Sequence, residues 1–256
     1  MSKLLEGKLA LILGIANKWS LAYAIAEAFS REGATLVLTY LGEKQKAAIE
    51  DLSAGMSTAG ILPCDVTKDE EVAALTESLR ALGRPLDAVV HSLAFANPED
   101  LRRPFLETSR GGFQLAQDVS AYSLVAVARA TAPLMTKGGS ISTLTYLGAT
   151  RVVKNYNVMG VAKASLEASV RYLASELGAG GVRVNAISAG PVKTVSARGI
   201  KDFSSILDVI AERSPMRRNT DPAEVADTAV FLASELSRGV TANTLFVDSG
   251  MQVMGF

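Results

Sequence analysis

Short apolar runs alternate with helical patterns along the whole chain. Seven runs are predicted as strands: Leu9–Leu13, Thr35–Thr39, Ile61–Cys64, Ala88–His91, Ser140–Leu144, Arg183–Ile187 and Leu245–Val247. Most are apolar throughout rather than at every second residue, which is typical of strands covered on both faces. Helical patterns lie between them: Leu21–Arg31, Lys44–Leu52, Asp69–Leu82, Gly112–Met135, Tyr156–Leu177 and Ala223–Ser234. This alternation predicts right-handed βαβ crossovers and an α/β fold, a doubly wound parallel sheet with helices on both faces.

Charge and rare residue types exclude several classes of protein. The 26 Lys and Arg residues balance 26 Asp and Glu residues, whereas a surface for nucleic acid or anionic lipid requires excess positive charge. No apolar run approaches the ~20 residues of a membrane span. A single cysteine, Cys64, and a single histidine, His91, allow no intramolecular disulfide and no Cys- or His-rich metal site. We therefore expect a cytoplasmic protein with no metal, no nucleic acid and no membrane partner.

No shift in composition and no Pro- or Ser-rich linker divides the 256 residues, so residues 1–256 are predicted to form one domain. The regular alternation fails only at Val192–Arg218, which follows Gly190-Pro191 and precedes the last helical pattern. We interpret this stretch as a long loop that carries a short helix. Loops of this size in compact α/β domains are often lids over a site.

A turn suited to phosphate follows the first predicted strand. It reads Gly14-Ile15-Ala16-Asn17-Lys18-Trp19-Ser20-Leu21-Ala22. In a βαβ unit such a turn presents backbone N–H groups and a helix N-terminus to the pyrophosphate of a dinucleotide. The Gly-x-Gly-x-x-Gly pattern is absent, since only Gly14 matches it, and a plain strand-to-helix turn is the alternative. Its place as the first βα turn favours a Rossmann-like sheet of about seven strands that binds a dinucleotide.

The ends of the second and third strands bear on the choice of cofactor. An acid after the second strand would bind a ribose 2′-hydroxyl, whereas an arginine would favour a 2′-phosphate. Leu41 and Gly42 are neither, and Glu43 precedes Lys44, so we expect NADH rather than NADPH. Asp65, after the third strand, is interpreted either as an acceptor for the adenine amino group or as a helix N-cap.

Tyr156 and Lys163 are seven residues apart at the start of the fifth helical pattern. This spacing is about two helical turns, roughly 10 Å along the axis, and it places both residues on nearly the same face. A phenol and an ammonium group would then project toward one cavity, with room for ribose hydroxyls between them. The spacing is common, and a packed tyrosine with a surface lysine is the alternative. The position after the central strands, beside a cofactor turn, favours a site.

With these motifs the chain resembles the short-chain dehydrogenase/reductase superfamily and, within it, the NADH-dependent enoyl-[acyl-carrier-protein] reductases of bacteria. The resemblance covers essentially the whole chain and is carried by Gly14-x-Ala16-x3-Ser20-Leu21-Ala22, His91-Ser92-Leu93-Ala94-Phe95-Ala96, Tyr146-Leu147-Gly148, Asn155-Tyr156-Asn157-Val158-Met159-Gly160-x-Ala162-Lys163-Ala164-Ser165-Leu166-Glu167 and Arg183-Val184-Asn185-Ala186-Ile187-Ser188-Ala189-Gly190-Pro191. Ordinary members of the superfamily have Tyr-x3-Lys. Here position 160 is glycine, and a second tyrosine, Tyr146, lies ten residues before Tyr156.

The resemblance implies reduction of the trans-2 double bond of an enoyl-[acyl-carrier-protein] thioester by hydride from NADH, the last reductive step of fatty-acid elongation. Negative charge would develop on the thioester oxygen. By the same resemblance Tyr156 hydrogen-bonds this oxygen and supplies or relays a proton. Lys163 would bind the nicotinamide ribose and keep positive potential near Tyr156. Tyr146 would shape the acyl pocket and support this hydrogen bonding, with a packed aromatic as its alternative. These three are the predicted catalytic residues.

The resemblance also implies contacts and partners. The implied cofactor contacts are Gly14, Ser20, Leu21, Leu41, Asp65, Val66, Leu93, Lys163, Val192, Lys193, Thr194, Val195 and Ser196. The implied substrate contacts are Ala96, Tyr146 and Tyr156. The acyl carrier protein would deliver the substrate, and four copies of the chain would form a homotetramer. Leu41 stands where glutamine is common in this family, so we expect the adenine edge to lack a polar partner.

The stretch Val192–Arg218 is predicted to be a substrate lid with a docking edge. Its apolar residues would cover an acyl chain: Val192, Val195, Ile200, Phe203, Ile206 and Leu207. Its cations would meet an acidic carrier protein: Arg198, Lys201, Arg213, Arg217 and Arg218. A solvated charged edge of a packed helix is the alternative for these cations.

Two other functions compete with enoyl reduction. A 3-oxoacyl thioester reductase, or another carbonyl reductase of the same superfamily, usually has a serine upstream of its tyrosine and Tyr-x3-Lys. Thr143 occupies the serine position, but position 160 is glycine. A non-catalytic dinucleotide-binding regulator would not need both Tyr156 and Lys163. His91, at the end of the fourth strand, is expected to have a structural hydrogen-bonding role.

Overall fold

A computed structural model describes residues 3–192 and 203–255. Its seven strands form one parallel sheet in the order β3-β2-β1-β4-β5-β6-β7. The strands are β1 Leu9–Leu13, β2 Thr35–Tyr40, β3 Thr58–Pro63, β4 Ala88–His91, β5 Gly139–Thr145, β6 Val182–Ala189 and β7 Thr244–Val247. Each predicted strand is present, with ends that differ by up to three residues. The predicted fold class is confirmed.

Nine α-helices occur within the described ranges. They are α1 Leu21–Arg31, α2 Glu43–Ser53, α3 Asp69–Ala81, α4 Pro98–Arg102, α5 Arg110–Gln117, α6 Ser123–Thr131, α7 Asn157–Leu177, α8 Phe203–Arg213 and α9 Pro222–Ala233. Local chemistry explains where several begin. Three acids occupy the first turn of α3, where they oppose the positive helix end. A capping box between Asp221 and Glu224, with Pro222 at the first helical position, begins α9.

The sheet is buried between two apolar layers. One layer contains Ile25 and Phe29 of α1 with residues of α9, and the other contains residues of α3, α6 and α7. Successive residues of β1 alternate between them, since Ile12 packs in the first layer and Leu11 in the second. Because both faces are covered, β1 must be apolar at every position, which explains its continuous apolar run.

The predicted continuous helix Gly112–Met135 is wrong. The structure has α5, a π-helical segment over Asp118–Tyr122, and then α6. Two hydroxyls in or next to this segment bond to backbone atoms, because Ser123 donates to Val119 O at 2.7 Å, one turn back, and Ser120 bonds to Phe95, outside the helix. Such side-chain hydrogen bonds compete with the regular helical pattern. The Ser120 hydroxyl accepts from Phe95 N–H at 3.0 Å and lies 3.1 Å from Phe95 O. Such π segments are frequent at functional sites.

The predicted loop at Val192–Arg218 contains more helix than expected. Its described part includes α8, an 11-residue helix, in place of a short one. Leu207 and Ile210 are buried, so this helix packs on the protein through spaced apolar residues. Within the described ranges no helix combines the length and apolar composition needed to cross a membrane.

Candidate active site

A cavity of 530 Å³ lies beyond the carboxyl ends of β1 and β4. The strand order reverses between these two strands, and such switch points are where open α/β sheets bind ligands. Eight predicted cofactor residues line this cavity: Gly14, Ser20, Leu21, Leu41, Asp65, Val66, Leu93 and Lys163. The structure therefore brings together residues from β1 to α7 that are distant in sequence.

The turn after β1 depends on close backbone approach. Gly14 has φ +103°, and a Cβ built on it would lie 2.1 Å from Ser92 O. Only glycine fits there, because any side chain would collide with the backbone that follows β4. Ser20 donates its hydroxyl to Asn17 O at 2.7 Å and does not cap the N–H groups of α1. The N-terminus of α1 therefore remains available to a phosphate in the cavity.

The end of β2 supplies a polar group that the sequence did not predict. Gln45, in the first turn of α2, donates from Nε2 to Ile15 O at 2.9 Å and accepts at Oε1 from Leu41 N–H. Its amide lines the cavity beside the exposed Leu41 side chain. A polar group therefore lies at this edge, although position 41 does not supply it. The amide comes from α2, one turn later than the family position.

Asp65 also lies in the cavity wall, after β3. Its Oδ1 accepts from Thr67 N–H at 3.0 Å and from the Thr67 hydroxyl at 2.7 Å. The Thr67 hydroxyl above all holds the pKa of Asp65 below its usual value. The N-cap residue of α3 is Lys68, so the N-cap interpretation of Asp65 is wrong. Its carboxylate instead stabilises a local turn at the cavity rim.

Lys163 is 4% exposed and reaches the cavity from the second turn of α7. Its Nζ donates to Leu144 O at 2.7 Å and lies 3.5 Å from Leu93 O. Burial lowers the pKa of Lys163 to about 8, against the opposing effect of Glu167 one turn later. The ammonium group is therefore fixed between the ends of β4 and β5 and is poised to titrate slightly above neutral pH.

Tyr146 and Tyr156 pack against each other edge to face. Their ring centroids are 4.9 Å apart and the rings make an angle of 74°, an arrangement that aromatic pairs favour. Burial raises the pKa of Tyr146 to about 12, and burial also raises the pKa of Tyr156. Both phenols therefore keep their protons at neutral pH and can act as hydrogen-bond donors.

The structure explains why the lysine follows the tyrosine by seven residues. A Cβ on Gly160 would lie 2.8 Å from Gly148 O, in the turn after β5. A lysine at the usual superfamily position would therefore collide with this turn. Lys163, nearly one turn further along α7, points into the cavity wall instead.

Two of the three predicted substrate residues line clefts other than the cofactor cavity, and the third is buried. Tyr146 lines a cleft with Ile206 and Met251, and Tyr156 lines another with Phe105. Ala96 is buried in a small apolar cluster against which Tyr156 packs. The tyrosines thus form a wall beside the cavity that Lys163 enters.

Val192, a predicted cofactor contact, does not line the cofactor cavity. It lines a separate cleft with Ser20 and Leu207. The predicted cofactor contacts Lys193, Thr194, Val195 and Ser196 lie outside the described residues, as do Arg198, Ile200 and Lys201.

His91 is fully buried beneath the cavity. Its Nδ1 lies 2.9 Å from the Thr143 hydroxyl, and its Nε2 lies 2.8 Å from the Ser123 hydroxyl. Burial lowers the pKa of His91 to about 3, so the imidazole is neutral. The ring ties β4 to β5 and α6, which is the structural role expected from the sequence.

Sequence reasoning missed part of the cavity wall. The missed residues are Asn17, Thr39, Tyr40, Gln45, Thr67, Ser92, Phe95, Val119, Leu144 and Thr145. Half of them, Thr39, Tyr40, Ser92, Leu144 and Thr145, lie within two residues of the end of a predicted strand, so attention to the strand ends would have included them; Asn17, Thr67 and Phe95 lie three or four residues beyond such an end. Gln45 and Val119 come from helical segments and had no such signal. Among the described residues, no group of three His, Cys, Asp or Glu side chains is placed to hold a metal ion.

Three features together indicate the class of this protein. They are a cavity at the switch point of a doubly wound sheet, a glycine cradle, and a buried lysine two turns after a tyrosine. These features are those of a dinucleotide-dependent oxidoreductase of the short-chain type.

Comparisons with known proteins assign the family. A family model described as Enoyl-(Acyl carrier protein) reductase matches residues 14–252. The Bacillus cereus enoyl-[acyl-carrier-protein] reductase [NADH] is 53% identical, with 99% of this chain and 100% of that protein covered. The Staphylococcus aureus (strain MRSA252) enoyl-[acyl-carrier-protein] reductase [NADPH] is 50% identical, with 98% of each covered. The crystal structure of the Bacillus cereus enoyl-acyl carrier protein reductase with NADP+ and indole naphthyridinone has a TM-score of 0.97 at 53% identity, covering 99% of this chain and 100% of that one.

The chain belongs to the enoyl-[acyl-carrier-protein] reductase family. The predicted family, enzyme class and function, the last reductive step of fatty-acid elongation, are confirmed. The relatives are named with either NADH or NADPH, so a nicotinamide dinucleotide is the cofactor class.

Proposed function

We propose that this chain reduces trans-2-enoyl thioesters of acyl carrier protein with NADH, and that Tyr156, Tyr146 and Lys163 carry the reaction. The observation that carries the proposal is the position of Lys163 in the wall of the dinucleotide cavity, on the helix that begins directly after Tyr156. One rigid element thus joins the cofactor side to the substrate side. The roles of the three residues follow from their surroundings.

The residues present fit a dinucleotide. The Gly14 cradle allows close approach of the chain, the N-terminus of α1 faces anionic groups, and Asp65 with Gln45 offers polar atoms at the far end of the cavity. When bound, the reduced nicotinamide supplies the hydride that adds to the β-carbon of the enoyl thioester. The protein's task is to hold that ring and to stabilise the charge that develops on the thioester oxygen.

Tyr156 is suited to meet this oxygen. Because burial raises its pKa, the phenol keeps its proton and donates a hydrogen bond as negative charge develops. Tyr146 packs its ring against Tyr156 with centroids 4.9 Å apart, so it restricts the swing of the Tyr156 ring and adds a second phenol at the same wall. The pair therefore presents a fixed donor to the substrate.

Lys163 is suited to hold the cofactor ribose and to supply positive potential. Two backbone carbonyls, those of Leu144 and Leu93, fix its Nζ. An ammonium group carries three donors, so one donor remains for a ribose hydroxyl. Below pH ~8 its charge also favours the anionic form of a nearby oxygen.

The alternative carbonyl reductase is disfavoured by Thr143. This residue occupies the superfamily's serine position, but it is fully buried. Its hydroxyl is 2.9 Å from His91 Nδ1 and 3.1 Å from His91 O, so it is committed to the interior. Parallel assays of NADH consumption with crotonyl and acetoacetyl thioesters test the proposal. We expect turnover with the crotonyl thioester only, and turnover with acetoacetyl thioester alone would reject enoyl reduction.

We further propose that NADH is preferred over NADPH. Of the described residues that line the cavity, Lys163 is the only cation. At the end of β2 the cavity meets Leu41 and the neutral amide of Gln45. Lys46 Nζ lies 3.9 Å from Glu43 Oε2, so this cation is paired with an acid. A 2′-phosphate would therefore find no arginine at this edge.

We also propose that cations near α8 dock the acyl carrier protein. Arg213 is exposed at the end of α8. Arg218 instead pairs with Glu224, with Nη1 and Oε2 2.9 Å apart, and Arg217 donates to Glu212 O. Arg213, together with Arg198 and Lys201 outside the described residues, is therefore a better docking candidate than Arg217 or Arg218.

A homotetramer is the remaining part of the proposal. The cleft beside Tyr156 is lined by exposed apolar side chains, among them Phe105 (49% exposed) and Val152 (103%). Exposed apolar surface is typical of an interface, and we propose that a second copy of the chain covers the outer side chains, Phe105 and Val152, and leaves Tyr156 open to the substrate. Light scattering of the full chain is expected to give four times the mass of one copy, whereas a monomer mass would reject the assembly.

A further inference from the structure

Two asparagines flank Tyr156 in the left-handed region of backbone conformation. Asn155 has φ +64° and Asn157 has φ +41°. Such a conformation costs roughly 1 kcal/mol for a residue with a side chain, and asparagine tolerates it better than most. Strain of this kind persists only when surrounding contacts hold it, and it clusters at functional sites. The backbone on either side of the residue proposed to meet the substrate is thus held in an unusual conformation.

The side chain of Asn157 supplies the contacts that hold this turn. Its Nδ2 lies 2.8 Å from Arg103 O and 3.1 Å from Leu101 O, with Asp100 O at 3.5 Å. These carbonyls belong to the end of α4, a helix of five residues. A helix so short cannot satisfy its own last carbonyls. The Asn157 amide therefore caps α4 from the start of α7.

The segment before α4 lies between the cofactor cavity and Tyr156. Phe95, in the wall of the cofactor cavity, is held through its backbone by the Ser120 hydroxyl. Ala96 and Leu101 share one buried apolar cluster with residues of α7, and Tyr156 packs against it. The Asn157 amide thus links this segment, by hydrogen bonds, to the turn that carries Tyr156.

We propose that Asn157 is a positioning residue of the reaction: its left-handed backbone aims Tyr156, and its amide fixes the segment 94–103 to the same turn. This inference rests on the proposed role of Tyr156. Asn157 acts through Tyr156 and does not itself meet the substrate. Its loss lets Tyr156 and the segment that carries Ala96 move independently, and small displacements of a reacting group are costly to the rate.

Two variants test the amide while leaving the left-handed backbone accessible. Asn157→Gly keeps the left-handed conformation and removes the amide, whereas Asn157→Asp keeps the shape but turns an acceptor toward three carbonyls. We expect both to lower kcat with an enoyl thioester on the order of tenfold and to leave the Kd for NADH unchanged. Ala242→Gly is the matched control, because Ala242 is exposed and also has a positive φ, +60°. It should retain the parent kcat. An unchanged kcat in both Asn157 variants overturns the proposal.

A double-mutant cycle with Tyr156→Phe distinguishes positioning from a general structural effect. If Asn157 acts through the Tyr156 hydroxyl, Asn157→Asp added to Tyr156→Phe should slow turnover by less than about twofold. Independent, multiplying losses overturn the inference while the role of Tyr156 stands. Full turnover by Tyr156→Phe alone instead rejects the proposed role of Tyr156, so the two failures are distinguishable. Thermal unfolding and NADH binding of each variant identify any variant that has lost its fold. If Asn157→Asp does not fold, the double-mutant cycle is measured with Asn157→Gly.

Discussion

The cofactor side and the tyrosine side of the site are built in different ways. The cofactor side lies at the ends of regular parallel strands, and backbone atoms do much of the work, as at Gly14. The tyrosine side is built from irregular backbone: a 3-10 turn over Leu147–Ala149, two left-handed asparagines, and the short helix α4. There, side-chain hydrogen bonds pair backbone groups that no regular helix or strand pairs.

This difference predicts different tolerance to sequence change. Recognition of a dinucleotide by backbone N–H groups needs open space and a suitable φ. The turn after β1 can meet both needs without the full Gly-x-Gly-x-x-Gly pattern. The tyrosine side needs particular side chains, since the backbone carries no phenol and the hydrogen bonds to the end of α4 come from the side-chain amide of Asn157. Substitutions on the tyrosine side should therefore affect turnover, whereas those on the cofactor side should affect binding.

The largest expected effect is on the tyrosine side. Tyr156→Phe removes only a hydroxyl, so kcat with an enoyl thioester should fall about 10²–10³-fold, the usual loss for one donor to a developing oxyanion. NADH binding, measured by fluorescence titration, should stay nearly unchanged. Tyr172→Phe is the control, because Tyr172 is 73% exposed on α7, and it should behave as the parent. A large loss of NADH affinity in Tyr156→Phe would erase the contrast between the two sides.

On the cofactor side, Gly14→Ala tests backbone approach. The new Cβ would meet Ser92 O at 2.1 Å at φ +103°, and overpacking of this kind costs about 1–3 kcal/mol. We expect NADH affinity to fall roughly 10–100-fold. Gly83→Ala is the matched control, because Gly83 has φ +66° but open space around its Cβ. Equal losses of affinity in the two variants would show that φ, rather than close approach, sets the requirement.

Lys163 joins the two sides, and its titration should be visible in binding. With a pKa lowered to about 8, the ammonium form dominates below pH 8, so NADH affinity should fall about tenfold as pH rises above it. Lys163→Met should bind NADH weakly, with no such pH dependence. A flat profile in the parent, or normal NADH binding by Lys163→Met, would contradict the assigned role.

The same shift has a consequence for stability. An unfolded chain keeps this proton up to pH ~10.4, whereas the folded chain releases it near pH 8. The folded state therefore binds fewer protons between these values, and the free energy of unfolding contributed by Lys163 should rise with pH across that window.

A smaller effect is expected for cofactor choice. Leu41→Arg places a guanidinium group at the end of β2, where it would meet a 2′-phosphate. The ratio of kcat/KM for NADPH to that for NADH should rise on the order of tenfold. Leu236→Arg is the control, because Leu236 is 61% exposed and remote from the cavity wall. A parent enzyme that already favours NADPH would refute the proposed preference.

The smallest effect is expected at the docking edge. Arg213→Glu and Lys201→Glu should raise KM for carrier-protein substrates a few-fold at low salt and leave coenzyme-A substrates nearly unchanged, because only the former present an acidic partner. Lys137→Glu is the control: it reverses an exposed charge just before the amino end of β5, whereas the cavity lies at the carboxyl ends of the strands. Equal changes with both substrate types would reject docking at these cations.

The sequence by itself determined the parallel sheet and the succession of strands and helices along the chain, and it singled out Tyr156 and Lys163 as candidate site residues. Burial on both faces requires continuous apolar runs, and helical periodicity places residues seven apart on one face, so both signals are local. Tertiary structure alone decided the π segment near Ser120, the length of α8 and the reach of Gln45 to Leu41 and Ile15. The Ser120 hydroxyl meets Phe95 and the Gln45 amide meets Ile15, 25 and 30 residues away in the chain, and the buried face of α8 is covered by other parts of the fold. The same reason explains Asn157: its amide is ordinary in sequence, and only the fold brings the end of α4 to it.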